Sequence, residues 1–182
     1  MPADPVDSAR EADPAAGIGS AQIGFAMERL RSQQNMPAAL GAGLVSSALG
    51  AGVWAGITVV TGSQIGWIAV GVGFLVGHAV RIAAKGIDAV YGVIGGAFAL
   101  LGCVAGNSLA VCQLVADQEG MAFLDEVVQL DLALIRELMV ATFSPMDLLF
   151  YGIALYEGHK LSFRQPGAAE WNALLPGQAP AA

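Results

Sequence analysis

His78, Arg81 and Lys85 recur at helical spacing in a stretch, 67–85, that carries no other charge. Ionisable side chains in so apolar a run suit an anion vestibule or a proton relay, since a charge is kept in hydrocarbon mainly where it serves a pathway. The plainer alternative has Arg81 and Lys85 reaching out to lipid headgroups while His78 bonds to a neighbouring helix. Glu157, in the EGHK that closes the apolar run 148–156, is expected at the same depth and is the natural partner for His78 or Arg81. Asp131 is odder. On a helical wheel over 117–143 it falls among Leu124, Leu134 and Leu138, away from Asp125, Glu126, Gln129, Arg136 and Glu137. A carboxylate placed there has to be paired or hydrogen-bonded. Asn107 and Gln113 are the expected donors; a kink or rotation that brings Asp131 to water is the alternative. Asp147, three residues after Ser144, reads as a first-turn helix cap, with ion coordination as the other use of that carboxylate.

No arrangement completes a catalytic or metal site. HExxH, GxSxG and GxxxxGK[ST] are absent, and the GVG at 71–73 lies inside an apolar run, without the strand–helix context a dinucleotide loop needs. Two histidines without ligand spacing make no metal centre. Catalytic residues, metal and cofactors are therefore expected to be none. Cys103 and Cys112 on one helix lie roughly 13 Å apart along its axis, too far to pair, and read as small buried apolar residues.

These side chains must be positioned by helices that cross a bilayer. The organising element is 87–116. Between Ala89 and Ala116 no side chain is charged, and about 42 Å of helix exceeds a hydrocarbon core of about 30 Å. Gly92, Gly96, Ala99, Cys103, Gly106 and Ala110 share one face of it. Such a small-residue stripe admits a second helix at close range, which is what holds helices together in lipid. A first span at 36–60 has its own repeat in Ala48, Gly52 and Gly56. A tight turn at 61–64 leads to a second span at 65–84 with Gly73 and Gly77. After the third span, 117–143 is expected to be an amphipathic helix at the bilayer surface. Ser144-Pro145 then starts a fourth span of about 28 Å to Phe163. The expected fold is all-α: an integral membrane four-helix bundle with glycine-mediated packing and an amphipathic helix between the third and fourth spans.

Composition sets the surroundings. Apolar residues make up 55 % of the chain and charged ones 13 %, and mean hydropathy is +0.63, outside the range of ordinary soluble domains. A net charge of −7 excludes nucleic acid as a partner, because phosphate binding needs a basic footprint. Residues 1–19 carry Asp4, Asp7, Glu11 and Asp13 and no apolar run, so insertion is left to the spans themselves. Residues 1–35 are expected to be a disordered tail followed by a short interfacial helix bearing Ile23, Met27 and Leu30. Residues 36–164 form the membrane domain, and 165–182 a flexible tail with Trp171 near the headgroups. Arg10, Arg29, Arg31, Arg81, Lys85, Lys160 and Arg164 all fall on one side of a four-span arrangement and only Arg136 on the other, which places both termini in the cytoplasm.

The stretches GFLVGHAVR at 73–81, YGVIGGAFALLG at 91–102 and DLLFYGIALYEGHKLSF at 147–163 resemble a group of bacterial multi-pass membrane proteins of unknown function. Some members of that group carry a zinc-ribbon-like segment ahead of the membrane region; residues 1–35 contain no cysteine, so no metal is carried over. The resemblance implies a bacterial inner-membrane location and no defined activity. The expected function is a non-enzymatic structural or accessory module, embedded in the lipid bilayer and assembling with itself or a membrane-protein partner. Its glycine faces (Gly52, Gly56, Gly73, Gly77, Gly92, Gly96 and Gly106) would serve that assembly. The alternative is a small channel or transporter using His78, Arg81, Asp131 and Glu157.

Overall fold

The computed structural model describes residues 14–63, 65–120, 122, 128, 131–142, 144–167, 170 and 174. The expected tail before residue 14, the polar arc of Asp125, Glu126 and Gln129, and Trp171 lie outside the described residues. All regular structure among the described residues is helical. Contacts divide the chain into Asn35–Arg164 and a second unit drawn from Met1–Gln34 and Gln165–Ala182.

The second unit contains α1 (Pro14–Ser32). It begins inside the stretch expected to be loose, at a proline whose missing N–H costs nothing in a first turn. Phe25 is exposed, with the Arg29 guanidinium 5.3 Å from its ring centre.

In the larger unit, α2 (Met36–Thr61) is started by Asn35, whose side chain accepts the Ala38 N–H at 3.0 Å. It is ended by Gly62 at φ 62°, a left-handed position that glycine takes without strain. α3 (Trp67–Ala84) stops at Lys85, whose N–H closes on the Arg81 carbonyl. α4 (Ala89–Glu119) stops at Gly120, φ 67°. α5 (Leu132–Thr142) is a short helix against α4. α6 (Pro145–Leu161) opens on reciprocal caps: the Ser144 hydroxyl accepts the Met146 N–H at 3.2 Å, and the Asp147 carboxylate accepts the Ser144 N–H at 2.8 Å. Asp147 is thus a helix cap.

One expected element is corrected. The stretch 117–143 is not one amphipathic helix from its first residue: Asp117 still belongs to α4, Gly120 turns the chain, and α5 begins only at Leu132. On α5, Leu134 and Ile135 are half-buried while Arg136 and Glu137 are exposed.

α2, α3 and α4 are each long and apolar enough to cross a membrane, and by that measure the chain is a membrane protein. α3 and α4 pack on each other, α2 packs along both, and α6 packs along both. The ends meet as an alternating path requires. Asn35 donates its N–H to the Ala84 carbonyl at 3.0 Å, and Arg164 donates its own to the Gly86 carbonyl at 2.7 Å. At the opposite end, the Trp67 and Phe150 rings meet at a tilt of 59°, their centres 5.4 Å apart.

Burial runs opposite to that of a water-soluble core. The inward positions of α2 are Ala39, Gly43, Ser46, Ser47, Gly50, Ala51, Trp54 and Thr58, all small except Trp54 and Thr58, while Leu40, Leu44, Val45 and Leu49 point out. Water would drive the large side chains inward. Lipid gives them no such drive and favours small residues where helices touch. Two buried hydroxyls are met by carbonyls one turn back, as hydrocarbon favours: Ser46 donates to the Ala42 carbonyl at 2.6 Å and Ser162 to the Gly158 carbonyl at 2.5 Å. The buried hydroxyls of Thr58 and Ser108 have no such bond among the described residues.

Candidate functional site: glycine seats and the polar residues around them

The closest helix contacts in the larger unit form two seats on the α3–α4 pair. The first holds α6. A Cβ on Gly73 would stand 2.5 Å from the Ala154 carbonyl oxygen and 2.8 Å from its Cα; one on Gly77 would stand 2.7 Å from the Leu161 Cβ. From α4, a Cβ on Gly92 would meet the His159 carbonyl at 2.9 Å, and one on Gly96 the Leu155 side chain at 2.9 Å. Gly95 is tighter still, since a Cβ there would run into the Ser162 hydroxyl and the Gly158 carbonyl. On α6 itself, a Cβ on Gly158 would stand 2.7 Å from the Ala99 Cβ and 2.8 Å from the Gly95 carbonyl. At Gly73, Gly95 and Gly158 the space is closed by backbone, so no side-chain rearrangement alone makes room there.

The second seat holds α2. A Cβ on Gly106 would stand 2.9 Å from the Trp54 Cβ, and one on Gly102 would stand 2.8 Å from Val72 and 3.1 Å from the Ser47 hydroxyl. Gly43 abuts the Phe98 ring, and Gly50 lies 3.1 Å from Val72 by the same measure. The pairs Gly43–Phe98, Ser47–Gly102 and Trp54–Gly106 advance together, so α2 and α4 run parallel. The stripe on α4 therefore serves two neighbours: Gly92 and Gly96 lie against α6, and Gly106 against α2.

Gly52 and Gly56 do otherwise. Nothing lies within 4 Å of a Cβ at either, and both are exposed. The contacts of Gly43 and Gly50 turn the neighbouring face of α2 inward and leave Gly52 and Gly56 facing out. The spacing alone had also missed Gly95, Gly102 and Gly158. Only the last had a usable signal, the four-residue repeat Ala154, Gly158, Ser162, all three buried.

The polar residues do not converge. His78 is bound to its own helix, with Nδ1 3.1 Å from the Phe74 carbonyl and its ring 4.1 Å from the Phe74 ring. Glu157 meets α3 through its backbone, its carbonyl lying 3.1 Å from a Cβ on Gly77. Among the described residues neither a hydrogen bond nor an ion pair joins Glu157 to His78 or Arg81. Asp131 is exposed just before α5, and its carboxylate accepts the Leu134 N–H at 2.7 Å. It caps a helix start instead of sitting mid-helix on an apolar arc. Gln113, an expected donor to it, gives its amide to Asp117 at 2.8 Å. Asp131 also belongs to the connection before Ser144, about 20 Å of helix away from Glu157. Cys103 and Cys112 are buried, and no disulfide joins them. No group of three or more His, Cys, Asp or Glu placed to hold a metal occurs among the described residues.

The charges do sort by end. Arg81, Lys85, Lys160 and Arg164 accompany Asp88 and Glu157 where α3 and α6 finish; Asp117, Asp131, Glu137 and Asp147 accompany Arg136 at the other. Comparisons with protein-family models, with curated proteins and with solved structures found no match.

Proposed function

We propose that Asn35–Arg164 is a four-span bundle in a bacterial inner membrane, and that it works as a non-enzymatic assembly module. The observation that carries this reading is the inverted burial of α2: small residues inside over most of its length, with Trp54 the large exception, and large aliphatic residues outside. α6 supports it as the fourth span. Its 17 residues reach about 25 Å, short but within what a locally thinned or tilted arrangement accepts. Its outward side chains, Met146, Leu148, Leu149 and Leu155, are apolar and exposed. The basic end faces the cytoplasm by the positive-inside rule, and both termini lie there with it.

Assembly is assigned to the outer face of α2. Gly52 and Gly56 give a helix of a second copy, or of another membrane protein, a place to approach the backbone closely. Gly56→Leu tests this cleanly, because the space around it is open and the fold has no reason to change. In nanodiscs, native mass measurement should show an assembly for the wild type that falls to single chains in the variant, with thermal unfolding unaltered. A wild type that is already a lone chain, or a variant that assembles equally well, removes the assembly role.

A further inference from the structure

α4 and α6 touch closely along Gly95 and Gly158 but part on their outward side. There Gly92, Gly96 and Gly152 leave an open groove of about 500 Å³, walled by Leu100 and Leu155 among others. Of the side chains lining it, only those of Tyr156 and His159 carry polar atoms. Both lie toward one end, where Lys160 holds its Nζ 5.2 Å from the centre of the Tyr156 ring. The other end, at Leu100 and Gly152, is hydrocarbon. The groove is thus polarised along its length, and its polar end coincides with the basic end of the unit.

From Gly92 to Leu100 is about 12 Å of helix, close to half of a hydrocarbon core of about 30 Å. A docked helix would need a groove that continues through both leaflets. This one occupies a single leaflet, with cations at the headgroup level and glycines below. Basic grooves between spanning helices at the cytoplasmic face suit anionic headgroups.

We infer that the α4–α6 groove binds one acyl chain of an anionic phospholipid, whose phosphate is held at His159 and Lys160. This rests on the membrane reading above. Gly152, with nothing within 4 Å of a Cβ, lets the chain lie on the backbone of α6, and the exposed Tyr156 ring flanks it below the headgroup.

The full chain in detergent micelles, titrated with phosphatidylglycerol or phosphatidylcholine of the same acyl composition, tests the inference by native mass spectrometry. The wild type should retain one phosphatidylglycerol with a preference of about fivefold or more over phosphatidylcholine, the effect of one cation near an anionic headgroup. Gly152→Leu fills the groove from a position with nothing within 4 Å of a Cβ, and should abolish retention of both lipids. His159→Gln with Lys160→Gln should remove the preference while leaving phosphatidylcholine bound. Retention by Gly152→Leu equal to wild type overturns the groove. So does a dimer that Gly152→Leu splits, which would make a second copy the occupant. Alkaline carbonate washing of membranes separates this failure from the larger one: a chain released by the wash ends the membrane reading, whereas a chain that stays but holds no lipid ends only the groove.

Discussion

Gly158→Leu is expected to detach α6 from the rest of the unit. Its missing side chain is where α6 lies against the backbone of Gly95 and the methyl of Ala99, and the same residue's carbonyl accepts the Ser162 hydroxyl. A leucine there has no rotamer that avoids a main-chain carbonyl, so the helices must separate. Overpacking costs about 1–3 kcal/mol where side chains can give way; with backbone on both sides the loss should be about 3 kcal/mol or more. Thermal unfolding in micelles should show it as a marked fall in midpoint. Gly152→Leu, on the outward side of the same helix, is the control and should leave the midpoint near that of the wild type. Equal destabilisation by the two would mean that α6 does not sit on the glycine seat.

Leu49→Lys is expected to prevent stable insertion of α2. Leu49 is 60 % exposed and stands at the middle of the Met36–Thr61 helix. On a soluble protein a lysine at so exposed a site would change stability by roughly 0.5 kcal/mol at most. At the centre of a bilayer it costs about 2.5–3.5 kcal/mol of insertion free energy. Leu49→Ala, which keeps the site apolar, should be far milder. The fraction of chain recovered in carbonate-washed membranes measures both. If Leu49→Lys is recovered as fully as wild type, the exposed leucines and valines of α2 face something other than lipid.

The long helices were legible because charge-free runs and the Ser144–Pro145 start leave little choice of boundary. The inward face of each helix was not. In a chain whose outer surface is also apolar, hydrophobic periodicity carries no direction, and the repeat of Gly52 and Gly56 looks as good as the one containing Gly43 and Gly50. The contacts of Phe98 and Val72 decide between them, and those come from other helices. Depth in the bilayer was a poor guide to pairing for the same reason. Gly77 faces Glu157, but one residue further on, a turn of about 100° carries His78 round to Phe74. Asp131 misled because a helical wheel presumes an unbroken helix. Gly120 ends one and Asp131 caps the next, and without a Glu or Gln at Leu134 the capping signal is weak.

The central claim, four crossings with the basic end in the cytoplasm, is tested most directly by labelling. In a chain made cysteine-free by Cys103→Ala and Cys112→Ala, single cysteines are placed at Ser63, Lys85, Ala122 and Gln165, all exposed. A membrane-impermeant maleimide applied to intact spheroplasts should label Ser63 and Ala122, and should reach Lys85 and Gln165 only after permeabilisation. Labelling of Gln165 together with Ala122 in intact spheroplasts would show that α6 does not cross, and would contradict the account.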